Sequence, residues 1–169
     1  LKNEKLKDEK PRVQLQRIEL DLADDMKRRN LLSEVNANSK KILVLTEGVI
    51  PYLSPDQVRS LADDLQLQSH IAYWITEYFH KDVYKYMQSS LRTKKMRNAP
   101  FKFYPDDWNA FFQLSKWYPR EIRFGSEVAK ESGRKPPMPW YAIFFMLFAS
   151  PQQKERARKM SGYMIFEKR

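Results

Sequence analysis

The spacing of apolar and polar positions changes along this chain, and each change marks an element. Residues 41–47 read KILVLTE, and the near-continuous run Ile42, Leu43, Val44 and Leu45 predicts a strand covered on both faces. Residues 13–22 alternate, with Ile18, Leu20 and Leu22 on one side and Glu19 and Asp21 on the other, which also predicts a strand. Residues 69–77 place Ile71, Tyr73 and Ile75 on one side, residues 120–128 alternate in the same way, and residues 163–167 form a last strand. Helical spacing takes over at Val58, Leu61, Ala62 and Leu65. The start signal precedes it. Ser54 caps, Pro55 takes the first helical position, Asp56 meets the positive end of the dipole and Gln57 completes a capping box. Ser150, Pro151, Gln152 and Gln153 repeat that logic and open a helix closed by Gly162.

The remaining segments fill in between. Residues 1–10 are charged, helical or frayed, and end at Pro11. Asp24 caps a short helix through Leu32, followed by the polar loop NANSK. Residues 81–97 read as a long basic helix with Val83, Met87 and Leu91 inward and with Tyr84 and Tyr86 widening its apolar side. After a break at Pro100, Asp106 or Asp107 caps a short helix on which Trp108, Phe111 and Phe112 pack together. Residues 131–139, with Gly133 and three prolines, form a loop able to fold over a site as a lid. Residues 141–149 are a fully buried helix or a partner surface. Pairing of 163–167 with 120–128 gives an antiparallel hairpin. Strands alternating with helices place the chain in the α/β class.

Composition narrows the options. A chain of 169 residues, 42% hydrophobic and 14% aromatic, forms one packed unit rather than a disordered tail. It contains no cysteine, which excludes disulfides, thiol nucleophiles and thiolate metal sites and is compatible with a cytoplasmic setting. The longest apolar run, 140–149, is shorter than the roughly 20 residues that a spanning helix needs, so no membrane partner is expected. The net charge of +10 raises nucleic acid as a partner. The basic groups at 27–29, 92–97 and 154–159 nevertheless fall on helix surfaces or ends, and solvated faces are the favoured reading over nucleic-acid contact.

Candidate chemistry gathers at the end of the 41–47 strand. Glu47 is an acid at a strand's carboxyl end, where ligands of open α/β sheets bind, and Gly48 beside it allows close approach. A capping glutamate at a strand end is the plain alternative. His70 lies at the opposite end of its strand and reads as structural, whereas His80 begins a helix near the productive end and is a substrate-side candidate. There is no phosphate-cradling loop, no metal-ligand spacing and no nucleophile elbow in the sequence.

The segment EGVIPYLSPDQV resembles the motif after the fourth strand of leucine carboxyl methyltransferases and their bacterial O-methyltransferase relatives. RIELDLAD resembles that family's segment after strand three, and SGYMIFEKR resembles its last strand. The order is the family's, and the match spans this chain but only the second half of the family's fold. The resemblance implies a class I, Rossmann-like methyltransferase sheet with helices on both faces and a terminal antiparallel hairpin, and residues 79–118 as a helical, substrate-side insert. It implies that Asp21 and Leu22 bracket the adenine of S-adenosylmethionine, that Glu47 and Gly48 contact the cofactor, and that Tyr52 is on the substrate side.

The acceptor implied is a small molecule or a protein carboxylate, methylated at a carboxylate or hydroxyl. The family's glycine-rich turn has no counterpart here, since Gly48, Gly125, Gly133 and Gly162 are far apart. The sequence therefore reads as the carboxyl-terminal portion of one domain, its cofactor site completed by a missing amino-terminal half or a second chain. The alternative is a non-catalytic module on a degenerate methyltransferase fold, binding nucleic acid or protein.

Overall fold

The computed structural model describes residues 2–5, 10–87, 99–134 and 148–169. After a single turn of helix, α1 (Lys2–Lys5), the chain runs without regular structure to α2 (Asp25–Ala37). The elements that follow are β1 (Ile42–Thr46), α3 (Pro55–Leu67), β2 (Ile71–Phe79), α4 (Lys81–Met87), α5 (Trp108–Gln113), β3 (Trp117–Phe124), α6 (Gly125–Glu131), α7 (Pro151–Arg158) and β4 (Ser161–Lys168). The strands make one open mixed sheet in the order β1-β2-β4-β3. β1 and β2 are parallel, joined by α3 as the crossover, and β4 runs antiparallel to both β2 and β3. The chain is an α/β protein, and the terminal hairpin expected from the sequence is present.

One face of the sheet carries the core. Trp74, Met164, Phe166 and Trp117 meet α3 and α5 there, and Trp74 lies 5.1 Å from Phe112 and 5.7 Å from Trp117 in edge-to-face contact. Both indoles find acceptors in this interior. Trp74 Nε1 donates to Thr46 Oγ1 at 3.0 Å, and Trp117 Nε1 donates to the Ala62 carbonyl at 2.9 Å. β1 is not covered on both faces as its apolar run predicts: on the face away from this core Leu43 is 60% and Leu45 57% exposed among the described residues. β1 is also the outer strand of the described sheet.

Four further expectations change. Residues 13–22 form no strand. Val13, Leu15 and Ile18 are exposed, because alternation makes a strand only where a sheet edge pairs with it. α2 runs to Ala37 rather than ending at Leu32, since Asn36 accepts from the His70 backbone N–H at 2.9 Å and ties that turn to the start of β2. The strand expected over 120–128 starts at Trp117 and gives way at Gly125 to α6. Gly162 does not close the preceding helix, which ends at Arg158 with Lys159 as its C-cap; it lies inside β4, where a Cβ would stand 2.3 Å from the Arg123 carbonyl oxygen.

The two capping boxes at Ser54 and Ser150 form as read, and Asp107 rather than Asp106 caps α5. Residues 88–97 of the long basic helix, 135–139 of the expected lid and 141–147 of the apolar segment lie outside the described residues.

Candidate functional site

The site grows from two strand ends lying side by side. The register pairs Thr46 of β1 with Thr76 of β2, so Glu47, the first residue past β1, stands beside Glu77, which lies within β2 and pairs with Tyr163 of β4. Gly48 has φ +67°, a left-handed conformation that a side chain would strain, and it turns the chain into the short 3₁₀ segment Ile50–Tyr52. Glu77 fastens that turn. Its Oε2 accepts from Gly48 N–H at 2.7 Å and its Oε1 from Val49 N–H at 3.1 Å. The Pro51 carbonyl in turn accepts from the N–H groups of Lys102 and Phe103 at 2.7 and 3.2 Å, which brings Phe101 alongside.

A cavity of about 280 Å³ opens between these pieces. Its wall includes Glu47, Gly48 and Tyr52 from the turn, Glu77 and Phe79 from β2, Phe101, and Tyr163 from β4. Tyr163 donates its hydroxyl to Glu47 Oε1 at 2.7 Å, and this bond holds the phenol protonated above its ordinary range. Tyr52 and Phe101 meet edge-on at 5.1 Å. Glu77 is 6% exposed, and burial raises its carboxyl pKa against the opposing pull of the Gly48 and Val49 N–H groups; the charge of Glu47 raises it further. The arrangement is an acidic cavity with aromatic walls.

The sequence-predicted residues divide. Glu47, Gly48 and Tyr52 share the cavity. Asp21 and Leu22 are not part of its wall: Asp21 is exposed, its Oδ1 accepting from Ala23 N–H at 2.9 Å. The Leu22 carbonyl accepts from Arg28, whose guanidinium is buried against Asp64 of α3. His80 lines a separate cavity of about 270 Å³ with Tyr78, Asp107 and Asn109, and its Nδ1 lies 3.2 Å from Asp82 Oδ2. Phe79 borders both cavities. His70 is held by α2, with Nδ1 2.8 Å from the Asn36 carbonyl oxygen.

Glu77 and Tyr163 are the members that sequence reasoning missed. One signal was present: the apolar stripe Ile71, Tyr73, Ile75 continues at the same spacing to Glu77, so an acid ends an apolar stripe. Nothing local marks Tyr163, whose partner lies 116 residues away.

The basic group at 27–29 is taken up in ion pairs. Lys27 lies 3.1 Å from Asp24, Arg28 pairs with Asp25 and Asp64, and Arg29 lies 2.8 Å from Asp64. Among the described residues no helix is long and apolar enough to cross a membrane, and no group of three or more acids and histidines could hold a metal ion. Compared with known proteins, the chain matches no family model and no curated protein.

Proposed function

We propose that this chain forms the second half of an S-adenosylmethionine-dependent O-methyltransferase domain, acting on a carboxylate or hydroxyl of a small molecule or a protein terminus. The observation that carries the reading is the placement of Glu47 and Glu77 at the carboxyl ends of adjacent parallel strands, around one cavity. The resemblance of EGVIPYLSPDQV and SGYMIFEKR to leucine carboxyl methyltransferases supports it, and so does the antiparallel pairing of β4 with β3.

S-adenosylmethionine supplies an activated methyl group on a cationic sulfonium. The cavity suits that cation by charge, through Glu47, and by contact, through the aromatic walls. The fit is confined to this end. Asp21 and Leu22, implied for the adenine, stand outside the cavity wall, and the glycine-rich turn for the methionine part has no counterpart in the sequence. What these residues do is position and shield. Glu77 fixes the turn that presents Glu47, Gly48 allows close approach, and Tyr52 and Phe101 exclude water from an in-line displacement. The outer position of β1 and the exposed Leu43 and Leu45 support completion of the site by a further half of the fold or a second chain.

Calorimetric titration with S-adenosylhomocysteine tests the reading. The expected result is saturable binding that Glu47→Ala weakens while thermal stability is kept. Unchanged affinity in Glu47→Ala, or no binding by a cooperatively folded chain, overturns it.

A protein-interaction module on the same fold is the second reading, favoured by the open leucines of β1. It predicts partner binding that Leu45→Lys abolishes, with no response to S-adenosylhomocysteine.

A further inference from the structure

The second cavity, about 270 Å³ at the end of β2, has walls of opposite character. His80 and Lys81, where β2 passes into α4, supply hydrogen-bond donors, and Asp106 and Asp107, at the start of α5, supply acceptors. We propose that this cavity binds a free amino acid with an apolar side chain, its ammonium held by Asp107 and its carboxylate by His80 and Lys81. The proposal goes beyond the methyl-transfer reading and uses no residue given a part in it.

Three observations carry it. The first is charge. Both signs stand around one space without neutralising each other: among the described residues Lys81 has no ion pair, and no ion pair joins Asp106 or Asp107 to the opposite wall. A purely anionic guest meets the two acids, and a purely cationic one meets the lysine. A zwitterion meets each wall with the opposite charge, in a partly desolvated space where that attraction is strengthened.

The second is the set of polar atoms left free. Asp107 Oδ1 caps α5, accepting from the Asn109 and Ala110 N–H groups at 2.8 and 3.1 Å, while its Oδ2 has no donor among the described residues. The Tyr78 hydroxyl, on the same cavity, has no hydrogen-bond partner among them; burial and then the nearby charge of Asp107 hold it protonated above its ordinary range. A carboxylate oxygen and a phenol oxygen are thus left to accept from an ammonium. On the other wall, His80 Nδ1 accepts from the Asp82 N–H at 3.3 Å, which assigns the ring hydrogen to Nε2. That Nε2 has no partner among the described residues, so an N–H and the Lys81 ammonium are left for a carboxylate.

The third is the apolar side. Trp108 Nε1 donates to the Phe79 carbonyl at 3.2 Å, which pins the start of α5 against the end of β2 and brings the two walls to one cavity. Tyr78 and Trp108 meet edge-on at 5.7 Å, and with Ile122 and Met164 they give an apolar surface for the ligand's side chain.

The test uses the whole chain and three probes that share one side chain: L-phenylalanine, its amide, which lacks the carboxylate, and its N-acetyl form, which lacks the ammonium. NMR follows the indole N–H of Trp108 and the ring of Tyr163, which belongs to the other cavity. L-phenylalanine is expected to shift Trp108 saturably and to leave Tyr163 unmoved. It is expected to bind about tenfold more tightly than either derivative, the effect of losing one ion contact in a partly screened site. Asp107→Asn keeps a capping side chain and removes the charge, and there L-phenylalanine is expected to lose most of its advantage over the N-acetyl form. In Lys81→Gln its advantage over the amide is expected to shrink. Where a variant fails to fold, the three probes on the unaltered chain decide the matter. Either derivative binding as tightly as L-phenylalanine, or a shift at Tyr163 without one at Trp108, overturns the proposal. So does the absence of any shift with L-phenylalanine or with L-leucine in its place. The methyl-transfer reading, tested at Glu47, is decided separately.

Discussion

Glu77 Oε2 accepts a hydrogen bond from the Gly48 N–H at 2.7 Å, so the last acid of β2 holds the turn that leaves β1. The carboxylate is 6% exposed, and it stands where two backbone N–H groups would otherwise lack partners. Its role in the site is therefore indirect: it fixes where Glu47 sits.

That position makes stability depend on pH. Burial raises the folded-state pKa of Glu77 above its ordinary value of 4.5, so the folded chain binds its proton more readily than the unfolded chain does. The contribution is full below 4.5 and is lost as pH rises through the higher folded value. Thermal melts of the wild type and Glu77→Gln across this interval are expected to converge or cross as pH climbs, the wild type losing stability relative to the variant. A difference between the two that stays flat with pH would show that the shift is absent.

Arg28 is 1% exposed and pairs with Asp64, itself 2% exposed, linking α2 to α3. Replacing Arg28 with methionine leaves a buried carboxylate with one partner fewer, and loss of one member of such a pair costs about 3–5 kcal/mol. Arg29, 2.8 Å from Asp64, keeps the expected loss at the lower end of that range. Urea denaturation measures it. Exchanging both Arg28 and Asp64 for apolar residues is expected to recover much of the loss, since the charges then left without these partners, Arg29 and Asp25, are exposed rather than buried.

Gly162→Ala places a methyl group 2.3 Å from the Arg123 carbonyl oxygen and 2.9 Å from the Phe124 Cα. Both are backbone atoms of the paired strand, so the hairpin must open. A loss of about 1–3 kcal/mol is expected by analogy with overpacked cores. Hydrogen exchange at β3 should rise with it, and unchanged protection there would show that the strands have room to part.

Local signals were the easiest to read from the sequence. The capping boxes at Ser54 and Ser150 depend on residues three apart, and both form. The apolar runs at 41–47 and 69–77 locate strands to within about two residues, although β1 buries only one of its faces. Alternation misled at 13–22, where period two describes a surface suited to a sheet but cannot supply the neighbouring strand. Gly162 is a similar case. A glycine after a helix signals a stop, yet here its small size serves a close approach by Arg123, which is remote in sequence. The site shows the same limit. Glu47 and Gly48 stand out at a strand end, whereas Glu77 and Tyr163 reach them across 29 and 116 residues, through sheet pairing that no short window contains.

The open side of β1 has a consequence for handling the chain in solution. Ile42–Thr46 is an uncharged, proline-free segment with Leu43 and Leu45 turned outward at the edge of the described sheet, a template onto which another extended segment can add. Lys40 and Lys41 precede it and Glu47 follows it. These charges act as gatekeepers against runaway strand addition, and exchanging Lys41 for an apolar residue would shift the chain from a soluble species toward fibrillar aggregates.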